Sequence, residues 1–340
     1  MKNTWMGGYR MYLNKYIDQN GTATEFPKFK DKNFVDLNLT ATDLFLSQYD
    51  NTEFNAVDIA VKCLAIDEYY GLNNYGFNIY RKMQQLRINE NWDERFLTLI
   101  KSFEKGFDDS SHLETDLNYD LHDGSHRLAL ALYHDMKEIP VRIYNTYVSR
   151  RKYGFAWFIE NGFTENEINI IKEKLNELFV KSKKPYYCLL WPPARNYYDE
   201  IEKSITKVES GIDILSSENI TIPSKNIKEF IYDVYSTDDI QKYKLDLKYD
   251  HMMQSLRKDN YNSPDYNIRV MEISFDNPDF RLKPLSGFPQ SKKTMRLKKQ
   301  IRSDYCDLIT DYYYDIIMHI TDNEKQNEEV KKLIKKIRSR

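Results

Sequence analysis

DLHDGSHRLALAL, residues 120–132, packs Asp, Gly, Ser, His and Arg into consecutive positions just where an apolar helix begins. A strand ending at Leu121, a sharp turn at Asp123-Gly124 and a helix opening at Ser125–His126 would explain that order of residue types. Glycine permits a positive φ and lets the backbone approach a ligand closely. The first turn of a helix leaves N–H groups without intrahelical partners, and with the helix dipole they favour an anion. Arg127 adds a permanent, forked cation suited to phosphate oxygens, and His126 adds a further donor. Leu128, Ala129, Leu132 and Tyr133 would anchor the helix behind them. The same residues also admit a plainer reading, with Asp123 as a helix cap, Gly124 as a turn and Arg127 solvated. One glycine is a weaker signal than a glycine-rich loop.

The flanking sequence points to an α/β domain. In NAVDIAVKCLAIDEYY (55–70), Val57, Ala60, Val61 and Leu64 recur at helical spacing, and Gly71 supplies a stop. DERFLTLIKSFEK (93–105) repeats the pattern with Phe96, Leu99, Ile100 and Phe103, followed by Gly106. HLETDLNYDLHDG holds short alternating segments, and IPVRIYNTYV (139–148) is a β-branched, alternating strand. Residues 1–50 mix aromatic clusters with Gly/Pro punctuation and read as an irregular wrap. That order of elements predicts a first α/β domain over 1–155 with an N-terminal helical extension.

A second α/β domain is expected over 156–340. Thr164 and Glu167 form a capping signature ahead of a helix striped by Ile168, Ile171, Leu175, Leu178 and Phe179. KPYYCLLWPPARNYYDEI reads as a strand, a double-proline turn and a helix, and NIRVMEISF (267–275) as a strong strand. Helical patterns cover 226–251, 295–319 and the stretch from 327 onward, with VKKLIKKIRSR read as an exposed tail.

Composition bounds the function classes. A chain of 340 residues with 41% hydrophobic content can form two cores. The 27 Tyr and 17 Phe reflect compositional bias. A net charge of −2 gives no global attraction for nucleic acid or an anionic membrane. Cys63, Cys188 and Cys306 are sparse and lack CxxC spacing, which reads as reduced thiols in a cytoplasmic protein. The first residues lack a signal-peptide pattern, and no stretch approaches the roughly 20 apolar residues of a membrane span.

The segment DLHDGSHRLALALYHDMKEIPVRIY resembles the D-G-x-H-R element of the ParB/sulfiredoxin superfamily, in which strand, turn, helix and a following strand form a nucleotide-binding core. Upstream, Arg87, Leu99, Ile100, Ser102 and Gly106 are similar to that family's Arg, acidic cluster and helix, so the likeness spans roughly residues 80–145. Sulfiredoxins carry a reactive Cys where this chain has Ser125, which argues against sulfinic-acid reduction. Chromosome-partitioning members carry a second Arg where this chain has His126, and a helix-turn-helix domain that is not evident here. The free-serine kinases of the superfamily carry the Asp-Gly-x-His-Arg form found in this chain. The resemblance implies that Asp123, Gly124, Ser125, His126 and Arg127 meet the phosphates of ATP or another nucleoside triphosphate, or the Mg²⁺ bound to them. It also implies a carboxylate that activates a substrate hydroxyl, with Glu90, Glu94, Asp93 and Asp116 as candidates beside Asp123. A zinc reading of His122, His126 and His134 lacks matching Cys or carboxylate partners.

RLKPLSGFPQSKKTMRLKKQIR (281–302) holds Arg281, Lys283, Lys292, Lys293, Arg296, Lys298, Lys299 and Arg302 with no acidic residue. It reads as a contact for a phosphate-rich small molecule, as a nucleic-acid-tracking helix, or as a solvated face paired with acidic neighbours. Lys248, Arg281, Lys283, Lys298, Arg302 and His319 are the candidate substrate-binding residues, with His319 expected at a helix C-terminus. The leading expectation is a nucleotide-dependent phosphotransferase acting on a hydroxyl of a small molecule such as an amino acid or sugar. The alternatives are a ParB-like nucleic-acid-binding protein or nuclease, and a non-catalytic nucleotide-gated interaction protein. The oligomeric state is not legible in the sequence.

Overall fold

Short apolar alternations separated by amphipathic segments give an α+β protein with two four-stranded sheets among its described residues. The computed structural model describes residues 15–17, 23–25, 33–48, 55–88, 93–106, 108, 110–116, 119–145, 154–238, 240–276, 278–282 and 289–339. Contacts divide the chain into one unit of 1–182 with 280–289 and another of 183–279 with 290–340.

In the first unit the chain runs β1 (Lys15–Ile17), β2 (Ala23–Glu25), β3 (Phe34–Leu39), α1 (Ala41–Gln48), α2 (Asn55–Tyr69), α3 (Gly76–Ile88) and α4 (Asp93–Phe103). It continues through β4 (Leu113–Thr115), β5 (Leu121–Asp123), α5 (Ser125–Tyr133), β6 (Ile139–Tyr144), α6 (Phe155–Glu160) and α7 (Glu165–Ser182). The sheet order is β3-β6-β4-β5. β6 runs antiparallel to β3 with Val35 opposite Ile143, and parallel to β4 with Leu113 opposite Val141. The alternation in IPVRIY buries Ile139, Val141 and Ile143, and Leu128–Leu132 of α5 are buried with them. Residues 33–48 thus supply a sheet strand and a helix, not the irregular wrap expected there.

The capping signature at Thr164 forms as expected. The Glu167 N–H donates to the Thr164 hydroxyl, and the Thr164 N–H donates to the Glu167 carboxylate at 2.7 Å. The helix it starts belongs with the first unit, where Lys174 pairs with Asp67 and Glu167 with Lys82. The division therefore follows Ser182, later than the boundary expected near residue 155.

In the second unit β7 (Tyr186–Leu190) leads through a 3-10 turn at Pro192–Tyr197 into α8 (Tyr198–Val208). β8 (Ile212–Pro223), α9 (Ile227–Val234), α10 (Lys242–Lys258) and β9 (Asp265–Phe275) follow. The chain then forms β10 (Phe280–Leu282), which groups with the first unit, and β11 (Pro289–Ser291), at whose first residue the division falls. The second unit resumes with α11 (Lys292–Tyr305), β12 (Met318–Ile320) and α12 (Glu324–Arg338). The sheet order is β12-β7-β9-β8, antiparallel throughout.

Two helical expectations break for local reasons. The 226–251 pattern splits at Tyr235, where a polar turn intervenes and Asp238 N–H donates to the Tyr235 carbonyl at 3.0 Å. The helix in the 295–319 pattern ends at Tyr305, where a 3-10 turn at Cys306–Leu308 leads to an extended Ile309. Left-handed φ values of 56°, 52° and 54° at Asp311, Tyr314 and Asp315 keep it from resuming before β12. The C-terminal stretch is not a free tail: α12 is capped by Asn323 and buries Val330 and Ile334. Cys63 on α2 and Cys188 on β7 are fully buried thiols, and Cys306 is partly exposed. Among the described residues no helix is long and apolar enough to cross a membrane.

α2 and α3 pack against each other with Gly76 at the point of closest approach. An ideal Cβ on Gly76 would fall 1.9 Å from the Leu64 carbonyl oxygen, against backbone that cannot swing aside. Asn73 fixes the approach, donating to that carbonyl at 3.0 Å and accepting from the Gly76 N–H at 2.9 Å. Gly76→Ala is therefore expected to lower stability by about 2 kcal/mol or more, measured by urea unfolding.

Candidate functional site

The Asp123–Arg127 turn is built from several sides. Gln48, buried at the end of α1, accepts from the Leu121 N–H at 3.1 Å and donates to the Tyr119 carbonyl, so it holds the chain entering β5. Asp116 is buried and accepts from the Asp120 N–H at 3.1 Å, which makes it a turn-holding residue. Gly124 adopts φ +98°, and an ideal Cβ there would lie 2.7 Å from Leu113 Cγ. Glycine is needed at this position on both counts.

No side chain caps the helix that follows. Asp123, expected as a cap in the plainer reading, instead turns outward with 73% of its side chain exposed and pairs with Arg127 at 3.1 Å. Arg127 also donates to the Ser111 hydroxyl. Ser125, the first helical residue, accepts a 2.6 Å hydrogen bond from Lys62 Nζ. Lys62 is 2% exposed and pairs with Asp58, which also takes Arg87. Burial alone would raise the Asp58 pKa, but Arg87 and then Lys62 outweigh it and hold the carboxyl well below the usual range. Burial, reinforced by Arg87, lowers the Lys62 pKa even though Asp58 opposes the change.

His126 faces inward. Its ring packs edge-on against Phe96 at 4.7 Å and Tyr80 at 5.8 Å, and its Nε2 shares a 2.9 Å hydrogen bond with the Tyr80 hydroxyl. Burial, then repulsion from Lys62, pushes the imidazole pKa well below its ordinary value. A neutral ring under the helix positions the turn rather than standing free on a phosphate as expected. Glu94 is exposed in the first turn of α4, Asp93 pairs with Arg81, and Glu90 lies outside the described residues. His122 stacks on Tyr144 and His134 on Phe103, so these two and His126 sit in separate surroundings. Among the described residues no three His, Cys, Asp or Glu side chains converge as a metal cage.

In the second unit the structure gathers Lys248, Lys298, Arg302 and His319 from the expected substrate set. His319 lies on β12 opposite Leu189, not at a helix C-terminus, and is 3% exposed. Lys248 donates to the carbonyls of Tyr314 at 3.0 Å and Asp315 at 2.6 Å. Arg302 donates to the Met318 carbonyl and pairs with the Asp315 carboxylate, both at 2.9 Å. Lys298 pairs with the buried Asp322 at 2.6 Å; burial would raise that carboxyl's pKa, but Lys298 and its hydrogen bonds hold it down. The Arg281 side chain and Lys283 lie outside the described residues.

Much of the basic stretch is neutralised: Lys292 and Arg296 pair with Asp279, and Arg296 also forks onto Glu209. Lys299 stays exposed. This pattern matches a helix face paired with acidic neighbours better than an open row of cations.

Sequence reading passed over Asp58, Lys62, Tyr80, Trp191 and Tyr235. A signal existed for the first pair, since Asp58 and Lys62 stand four apart within 56–66, a stretch whose other residues are all apolar. No protein-family model, curated protein or solved structure matches the chain.

The inward-facing, half-buried His126 and the fully buried His319 set an acid limit on stability. Burial, the leading cause for each, depresses the folded pKa, so their contribution is complete above the unfolded value near 6.5 and is lost as pH falls below it. The slope approaches about 1.4 kcal/mol per pH unit for each histidine that must stay unprotonated. Urea unfolding at pH 7.5 and 5.5 should show a smaller acid loss in His126→Phe than in the wild type. An equal loss in both proteins would contradict a depressed pKa at His126.

Proposed function

We propose that the first unit binds the phosphates of ATP or another nucleoside triphosphate at the Asp123–Arg127 turn. On this reading the protein is a nucleotide-dependent phosphotransferase acting on a hydroxyl of a small molecule such as an amino acid or sugar. The observation that carries the reading is the Lys62–Ser125 contact. It delivers a buried ammonium to the first residue of a helix whose N-terminus has no side-chain cap. The likeness of residues 80–145 to the ParB/sulfiredoxin superfamily, in its Asp-Gly-x-His-Arg form, supports the same assignment.

Phosphoryl transfer depends chiefly on positioning and charge neutralisation. The first-turn N–H groups of Ser125, His126 and Arg127 would face phosphate oxygens, with Lys62 behind them and the Arg127 fork beside them. Asp123, outward and next to Arg127, is the carboxylate placed to meet a Mg²⁺ carried in on the phosphates. Magnesium commonly uses one or two carboxylates and keeps its waters, so Asp123 with the phosphates would suffice to hold it. The ion would supply neutralisation of phosphate charge. Glu94 and Glu90 are proposed to accept the hydroxyl proton. His126 holds the helix in place against Tyr80 and Phe96.

Thermal unfolding with ATP, ADP, CTP and GTP, each with Mg²⁺, tests the site in wild type and in Arg127→Ala. A nucleotide at about 100 times its Kd should stabilise the wild type by about 2.7 kcal/mol, and Arg127→Ala should lose most of that gain. Stabilisation by no nucleotide in a folded sample would overturn the reading. Nucleotide binding without turnover on any hydroxyl substrate would make the first unit a nucleotide-gated binding module instead of a kinase.

A further inference from the structure

The interior of the second unit holds a concentration of hydrogen-bond donors that the nucleotide reading does not use. Trp191 follows β7, and its backbone N–H donates to the carbonyl of Ile317, just before β12, which brings the indole onto the same face as His319 two residues on. Tyr235, at the end of α9, packs on both: its ring lies 4.4 Å from His319 and 6.3 Å from Trp191. Lys248 reaches in from α10, with Nζ 5.6 Å from the Tyr235 ring and 5.8 Å from the Trp191 ring. Arg302 enters from α11 beside β12.

Trp191, Tyr235, Lys248 and His319 are buried and Arg302 is half-buried, and their polar atoms are incompletely used. His319 Nε2 and Arg302 Nε are buried atoms with no hydrogen-bond partner among the described residues. The Trp191 indole N–H completes no hydrogen bond among the described residues, and burial pushes the neighbouring Tyr235 phenol's pKa up. An unsatisfied buried donor costs about 1–3 kcal/mol, so several in one place call for an acceptor that bonds them together. Lys248 makes the same point through charge. It bonds main-chain carbonyls, has no carboxylate partner among the described residues, and is pushed down to about 7 by burial and by Arg302. The Asp315 carboxylate is already taken by Arg302.

We infer that Trp191, Tyr235, Lys248, Arg302 and His319 form a second anion site, which takes the phosphoryl group of a small molecule within the second unit. The donors come from the ends or faces of two strands and three helices and are not arranged as one planar fork. A tetrahedral phosphoryl group, with acceptors in three dimensions, matches that arrangement better than a planar carboxylate. The aromatic faces of Trp191 and Tyr235 add a desolvated wall that strengthens each charge-assisted bond. The site stands apart from the nucleotide assignment and does not depend on it.

The test titrates the full chain with inorganic phosphate against chloride at constant ionic strength, following tryptophan indole N–H signals by ¹H–¹⁵N NMR. Trp191→Phe assigns the signal. The expected result is a saturable shift of the Trp191 resonance, weakened about tenfold or more in Lys248→Met and in His319→Asn and unchanged in Arg127→Ala. Two histidine and lysine variants are used so that misfolding of one leaves the other decisive. No Trp191 shift in folded wild type up to about 50 mM phosphate would overturn the assignment. So would a shift that both second-unit variants preserve, or one that Arg127→Ala abolishes. An equal response to acetate would overturn the phosphoryl class.

Discussion

The Asp58 carboxylate, held between Lys62 and Arg87, is the interaction on which the first unit's arrangement depends. It sits on α2 and is 3% exposed, where an isolated charge would be strongly disfavoured. Two cations keep it ionised, one from its own helix and one from α3. Removing one partner from such a buried set typically costs about 3–5 kcal/mol, because the remaining charge is left unpaired. The close approach of α2 to α3 at Gly76 is what lets a side chain from the far end of α3 reach that carboxylate. Once Asp58 has positioned Lys62, the ammonium's next partner is Ser125 at the start of α5. Helix packing, charge pairing and the geometry of the Asp123–Arg127 turn are thus one connected arrangement.

The second unit solves a similar problem differently. Its interior cations Lys248 and Arg302 are stabilised partly by main-chain carbonyls released where left-handed residues break the chain between α11 and β12. Carbonyl oxygens carry only partial charge, so they leave the ammonium of Lys248 less compensated than Lys62 is by Asp58. Burial is the leading cause of a lowered pKa at both lysines. Asp58, in direct contact, opposes it at Lys62, while at Lys248 Arg302 adds to it and Asp315, paired with Arg302, opposes it.

Features governed by local rules were legible in the sequence. The Asp-Gly turn, the capped start at Thr164, the helix stops at Gly71 and Gly106 and the strand at Ile139 each follow from a few adjacent residues. Strand β8 was harder to read, because Ser216–Glu218 interrupt its apolar alternation and it pairs with β9 alone. The direction of His126 could not be read from the turn, since it is set by Tyr80 and Phe96 on other helices. His319 was assigned to a helix because YYYDIIMHI offers no proline or glycine to end one. Positive φ values at Tyr314 and Asp315 keep a helix from running through it. In the candidate site, spacing revealed the residues of the turn, but not the buried pair of charges that supports it.

The two buried cysteines give each unit its own chemical clock. Cys63 lies on α2 beside the Ala129 carbonyl, one residue after Lys62, and burial raises its pKa to about 12. Cys188 lies on β7 opposite Ile320, one residue before Leu189, the partner of His319, and burial raises its pKa further. A thiol alkylates as the thiolate and only when reagent can reach it, so neither sulfur reacts until its own surroundings open. Modification at Cys63 therefore times the loosening of the Asp58 cluster, while modification at Cys188 times the loosening of the β12–β7 pairing. Mass spectrometry can read both from one sample, without adding a label to either unit.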